Sequence, residues 1–413
     1  MLPQIAGRKA FRPRRLTGTQ AGLASGAVFV SGQRAHLRGS MTRRVIEIGL
    51  LFSGSGAYAR IAGAGRAGAL RAVAAVNADP AFDIRLVPVT RDPKGNIDLY
   101  GPLCTEILRT TGARHVIGTT TSWSRKEVIP ALERAGGALW YPCPYEGYEA
   151  SDHVVYTHAC PNQHLIPLFD WVLPRFGARA CLVGSNYIWG WEMSRIAHDL
   201  VADAGGAVLS ERYLAIGDTD VERLIDEIAA TRPDFVLNSL IGPSSYRFLE
   251  EMARLATRDP AFGPDRCPVL SCNLTECELE GLGAAAEGVI SAGPYFAGHS
   301  GPGAWGDQPP GGFASSIEGA AFRAVRALAR LLAHRPGAEA LDLVELLGPE
   351  GAQGAAEGID PAHHHMTQPG LVAQIRGGQF EVIASTPAIA PDPYLAHARR
   401  RPAARARLSV VRP

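Results

Sequence analysis

The sequence predicts an α/β protein: two doubly wound lobes around a ligand cleft, joined by crossover strands. Three observations predict it. Short apolar, β-branched runs alternate with stretches at helical spacing along most of the 413 residues. The alternation comes in two series, with strand-only crossings near residues 153–164 and 288–296. The length exceeds one ordinary core and suits two.

The totals exclude several classes. The net charge is +1, which implies no nucleic-acid partner. The hydrophobic fraction is 46%, but no uninterrupted apolar run is long enough to insert into a bilayer. Seven cysteines, an odd number in mostly apolar surroundings, read as buried thiols of a reducing compartment. Cys267, Cys272 and Cys277 lack the spacing of a zinc site, so no metal is expected there.

In chain order, residues 1–43 are rich in Arg, Gly and Ala. The basic run Arg12–Leu16 precedes AGLASGAVFV, whose glycines and serine interrupt it, and no clean cleavage site follows before Arg34. The segment is expected to be a disordered or mis-annotated extension, with translation starting at Met41. VIEIGLLFS (45–53) is the first strand, and the Gly/Ala-rich stretch after it is a helix ending near Asn77. Its SGSGAYA loop matches neither the P-loop nor GxGxxG, so a nucleotide is not expected. FDIRLVPVTRDPKGN is a strand and turn, and LYGPLCTEILRTTGA is a helix.

Residues 116–149, VIGTTTSWSRKEVIPALERAGGALWYPCPYEGYE, form one βαβ unit. Val128, Ile129 and Leu132 share a helical face, Gly136 and Gly137 end the helix, and ALWYP is the next strand. Two loops then leave one sheet edge. One carries Thr119, Thr120, Thr121, Ser122 and Ser124; the other carries Tyr141, Cys143 and Tyr145. Ligands of open α/β sheets bind at that edge. Read alone, Ser122 or Ser124 is more simply a helix cap.

HVVYTHACPNQH (153–164) is a strand running into a crossover, after which four more βα steps follow, through CPVLSCNLTE. GVISAGPYF returns by a second crossover, Phe313–Ala333 is a long helix, and LVAQIRGGQFEVI is a hairpin turning at Gly377-Gly378. The expected division is 44–158 with 292–345 as the first lobe and 159–291 with 346–395 as the second. The basic run in 396–413 reads as a solvated tail.

Four strand-end loops can meet at the cleft: Thr119–Ser124, Tyr141–Tyr145, Ser185–Trp191 and Asn273–Thr275, with Asn238–Ser239 as a fifth. They supply hydroxyls, amides and aromatic walls, which suit a small, neutral, polar molecule. No carboxylate pair, GxSxG elbow or strand-end histidine is placed for hydrolysis. Ser122 or Cys143 as a hydrolytic nucleophile is the minor reading. The run His363–His365 is expected in a loop with an exposed or interlobe polar role.

The stretches IGLLFSGSG, SWSRKEVIP, YPCPYEGYE, ACPNQH, GSNYIW and PDPYL, in order over about residues 45–395, resemble the type I periplasmic-binding-protein family. Within it they are most similar to the amide- and urea-binding branch, nearest to amide-sensing negative regulators of aliphatic amidase operons. The resemblance implies an interlobe amide held by a serine at Ser122, a strand-end tyrosine at Tyr141 and an aromatic pair at Tyr187 and Trp189. Thr121 belongs to the same loop. The chain departs from the branch at Thr120, where a tyrosine is usual, and at Cys143, where a threonine is usual. The second lobe's threonine corresponds to Asn273 or Leu274.

The expectation is a cytoplasmic ligand sensor and negative regulator for a short-chain amide or urea, without enzymatic turnover or cofactor. Its partner would be an antiterminator-type regulator, and a homo-oligomer is compatible. The alternative is the substrate-binding subunit of an amide or urea ABC transporter, periplasmic or at the cell surface, with a permease as partner.

Overall fold

A computed structural model describes residues 43–349 and 352–396 and a two-residue strand at Ser409–Val410. The N-terminal extension and most of the basic tail lie outside the described residues. The first sheet has three short strands buried along their whole length, as a sheet covered on both faces requires. It comprises β1 (Arg44–Leu51), β2 (Ile84–Arg91), β3 (His115–Gly118), β4 (Ala138–Tyr141) and β5 (Val154–Tyr156). All pair in parallel, in the order β2-β1-β3-β4-β5. Helix α1 (Ala59–Ala78) covers one face, while α2 (Tyr100–Thr110) and α3 (Ser122–Ala135) cover the other.

The second sheet repeats the pattern. Helix α4 (Leu165–Phe176) leads into β6 (Arg179–Ser185), α5 (Ile188–Asp203), β7 (Ala207–Leu214), α6 (Glu222–Thr231), β8 (Phe235–Ser239) and α7 (Pro243–Arg258). Then come β9 (Val269–Ser271), α8 (Glu276–Leu282) and β10 (Ile290–Gly293). Helix α9 (Ser316–Leu332) crosses back and packs along α1, its Ala320, Ala324 and Leu328 buried against Ala62, Ala69 and Ala72. After α10 (Leu343–Leu347) and α11 (Ala352–Ala356), the hairpin β11 (Gln368–Arg376) and β12 (Gln379–Ile389) adds antiparallel strands to the second sheet. The strand β13 (Ser409–Val410) pairs with β12, so part of the expected solvated tail is a sheet edge.

Three expectations need correction. The stretch 153–164 is a strand only over Val154–Tyr156; beyond it the backbone turns at residues 160–163 into α4. The passage to the second lobe lies later than residue 346, because Leu346, Leu347, Ile359 and Met366 pack in the first lobe's core. The histidine run is largely buried: His365 stacks on Tyr156 with centroids 4.1 Å apart, and only His363 keeps a part-exposed pair, to Asp360.

Candidate ligand cleft

The carboxyl ends of the parallel strands of both sheets face one cavity, part of it open to solvent. The first lobe contributes Thr120, Thr121 and Ser122 from the β3–α3 turn and Tyr141 and Cys143 from the end of β4. The second contributes Tyr187 and Trp189 from the start of α5 and Asn273 after β9. Thus the eight residues singled out in the sequence lie around one space. Tyr58 and Ile61 of the α1 start, Ile241 after β8 and Ile317 of α9 complete the wall, and sequence reasoning missed them. Tyr58 was findable, since its SGSGAYA loop leaves the same edge of β1. Leu274 turns into the second lobe's core instead, which leaves Asn273 as the cleft residue.

The lobes touch around this space. The Trp123 and Tyr187 rings meet edge-on at 5.5 Å, and Arg60 reaches Glu280 at 3.4 Å. Gly242, at φ +58°, lies so near Ala57 that a Cβ there would stand 1.9 Å from the Ala57 carbonyl oxygen. The cleft is therefore closed.

The β3–α3 turn divides its labour. Thr121 is the N-cap, accepting from the Ser124 amide, and Ser124 completes a capping box. Ser122, at the first helical position, caps nothing. Its hydroxyl donates to Glu146 Oε2 at 2.8 Å. Glu146 is buried and receives Arg125 Nη2 at 2.6 Å and Nη1 at 3.4 Å. The Arg125 Nε donates to Glu149 at 2.7 Å, and Lys126 and Tyr156 also donate to Glu149, each at 2.7 Å. Arg125 is fully buried with its guanidinium 4.8 Å from the ring centres of both Tyr141 and Tyr145. Burial alone would raise the Glu149 carboxyl, but the Arg125 charge and the hydrogen bonds from Arg125, Lys126 and Tyr156 hold it down at about 2. Sequence patterning hid this network, because Arg125 and Lys126 on a helix read as a solvated face.

The polar groups around the cavity are unequally committed. Tyr141 donates to the Thr120 carbonyl at 3.1 Å and Cys143 to that of Thr119 at 3.7 Å. Asn273 donates to the Leu240 carbonyl at 3.0 Å, which braces its loop. Asn238 braces too, through Ser245 and the Leu240 amide, and does not line the cavity. In contrast, Thr120 Oγ1 and Trp189 Nε1 are buried and have no partner. Such atoms are costly unless something fills the space. Among the described residues, no charged side chain lines the cavity. Cys143 is a poor nucleophile, since burial, followed by the nearby Cys277, pushes its thiol well above its ordinary value.

A sequence profile of the periplasmic binding protein domain matches residues 46–304. The chain belongs to that family. Solved structures agree on the fold. A solute-binding protein of an ABC transporter from R. palustris, in complex with benzoate, is 18% identical with a TM-score of 0.69, over 84% of this chain and 98% of that one. The amino acid ABC transporter substrate-binding protein of Pseudomonas fluorescens Pf-5 is 17% identical with a TM-score of 0.67, over 85% and 98%. A branched-chain amino acid transporter substrate-binding protein of Streptococcus pneumoniae, in complex with isoleucine, is 14% identical with a TM-score of 0.63, over 84% and 100%. The solved relatives are binding proteins, and two of these three are in complex with a small molecule.

Proposed function

We propose that this chain captures a small, uncharged, polar molecule of the short-chain amide or urea class between its lobes and delivers it to an ABC permease without chemical change. The observation that carries the ligand class is an interlobe cavity walled by tyrosines and tryptophan, with two buried, unpartnered polar atoms, Thr120 Oγ1 and Trp189 Nε1, and, among the described residues, no charged lining residue. A carboxylate ligand would find no free cation there, because Arg125 is engaged by Glu146 and Glu149 behind the wall. A carbonyl can accept from Trp189, and an NH2 group can donate to Ser122 or Tyr141.

The delivery role is supported by the family and by solved relatives that are ABC transporter solute-binding proteins. This moves weight from the cytoplasmic amide sensor with an antiterminator partner to the transport reading, and with it from cytoplasm to periplasm. Titration calorimetry with acetamide, butyramide and urea, followed by ammonia assay, tests the reading. Saturable binding of at least one of the three without ammonia release is expected. Steady ammonia release abolished by Ser122→Ala or Cys143→Ala would overturn it.

A further inference from the structure

We infer that Glu146 is a specificity-determining residue of the cleft, one that fixes the Ser122 hydroxyl as an acceptor so that the site takes a neutral molecule bearing N–H groups and rejects its isosteric carboxylate. This rests on the reading that a small polar molecule binds between the lobes.

A serine hydroxyl has one hydrogen and two lone pairs. At Ser122 that hydrogen is directed 2.8 Å to Glu146 Oε2, so what remains for the cavity is acceptor capacity. Glu146 cannot turn away. Both its oxygens are held by the Arg125 fork, and Arg125 is itself held by Glu149 and two tyrosine rings. A carboxylate paired with a guanidinium offers Ser122 only lone pairs, so Ser122 stays the donor in that bond. Across the cavity, Trp189 Nε1 can only donate, and it is unpartnered. Ser122 therefore accepts, Trp189 donates, and the Thr120 hydroxyl, also unpartnered, can do either. A primary amide or urea matches both walls. A carboxylate of the same shape sets its lone pairs against those of Ser122. Arg125 offers it no hydrogen bond in return, because it does not line the cavity and its N–H groups are given to Glu146 and Glu149. Glu146 does not line it either, so its role is exerted through Ser122.

The test is titration calorimetry of the full chain near neutral pH with acetamide, propionamide and butyramide against acetate, propionate and butyrate. The wild-type chain is expected to bind its best amide at least about 100-fold more tightly than the matching acid. Glu146→Gln can donate an amide hydrogen to Ser122, which frees the serine hydrogen for the ligand and removes the negative charge. It is expected to lower the amide-to-acid ratio at least about tenfold. In a Ser122→Ala background the same change should move the ratio less than about threefold. Melting curves establish that each variant folds; should Glu146→Gln not fold, the wild-type ratio decides. Equal wild-type affinities, or a folded Glu146→Gln that binds amide with the wild-type ratio, overturn the inference while leaving ligand capture intact. Failure of the wild-type chain to bind any of the six compounds overturns the ligand reading itself.

Discussion

At residue scale the β3–α3 turn separates a cap, Thr121, from a proposed ligand contact, Ser122. Thr121 closes the capping box, so Thr121→Ala should lower stability by about 1 kcal/mol. Ser122 makes no cap bond, so Ser122→Ala should instead weaken the best ligand by about 1–3 kcal/mol, roughly five- to 150-fold. Melting curves and calorimetry on the two variants read both effects. A Ser122→Ala chain with unchanged affinity and a lowered melting temperature would place the site elsewhere. The strand-end position of Ser122, Tyr141 and Trp189 was legible because a short parallel strand followed by a helix sends its loop to one edge, whatever packs later. Glu146 was not legible. Whether a glutamate five residues past Tyr141 meets solvent or a buried arginine depends on where α3 lies against β4 and β5, which no local pattern encodes.

At element scale, closure depends on backbone approach as well as on side chains. Gly242 begins α7 in a left-handed conformation against the Ala57 carbonyl of the other lobe. Alanine there is strained in any state of the cleft and collides only when the lobes are shut. Gly242→Ala should therefore weaken ligand binding at least about tenfold, equivalent to about 1.4 kcal/mol, beyond its effect on the melting temperature. Unchanged affinity would mean that closure does not bring these elements together. The long elements, such as α1, α9 and the Gly377-Gly378 hairpin, were legible from periodicity and turn chemistry. Helices α8, α10 and α11 were not, because segments of five to seven residues carry too few turns to show a period. The position of Leu346 and Leu347 in the first lobe was hidden for the same reason.

At the scale of the whole molecule, the acid limb of stability follows from buried neutral histidines. Burial, helped by neighbouring positive groups, lowers His115 to about 4 and His158 to about 3. Burial likewise takes His164 to about 4 and pulls His365 down. These groups take protons in the unfolded chain near pH 6.5 but not in the folded one, so stability should fall as pH drops below about 6.5. Buried Glu276 and Glu278, each raised to about 7 by burial, act oppositely: they are protonated in the folded chain first, so stability falls as pH rises from about 4.5 to 7. His364, also lowered by burial, and the Glu149 carboxyl held at about 2 act in the same direction as these histidines, so a net loss is predicted on acidification from pH 6.5 to 4, measurable by urea denaturation across that range; a gain in stability over it would contradict the burial of these histidines. The proposed ligand of the interlobe cavity is a neutral amide-type molecule. The most direct measurement is a crystal structure of the chain grown with butyramide. The amide is expected between the lobes, its carbonyl oxygen on Trp189 Nε1 and its NH2 group on Ser122. Butyramide in the reverse orientation, with its carbonyl oxygen on Ser122, or a cleft left empty at saturating butyramide, would contradict it.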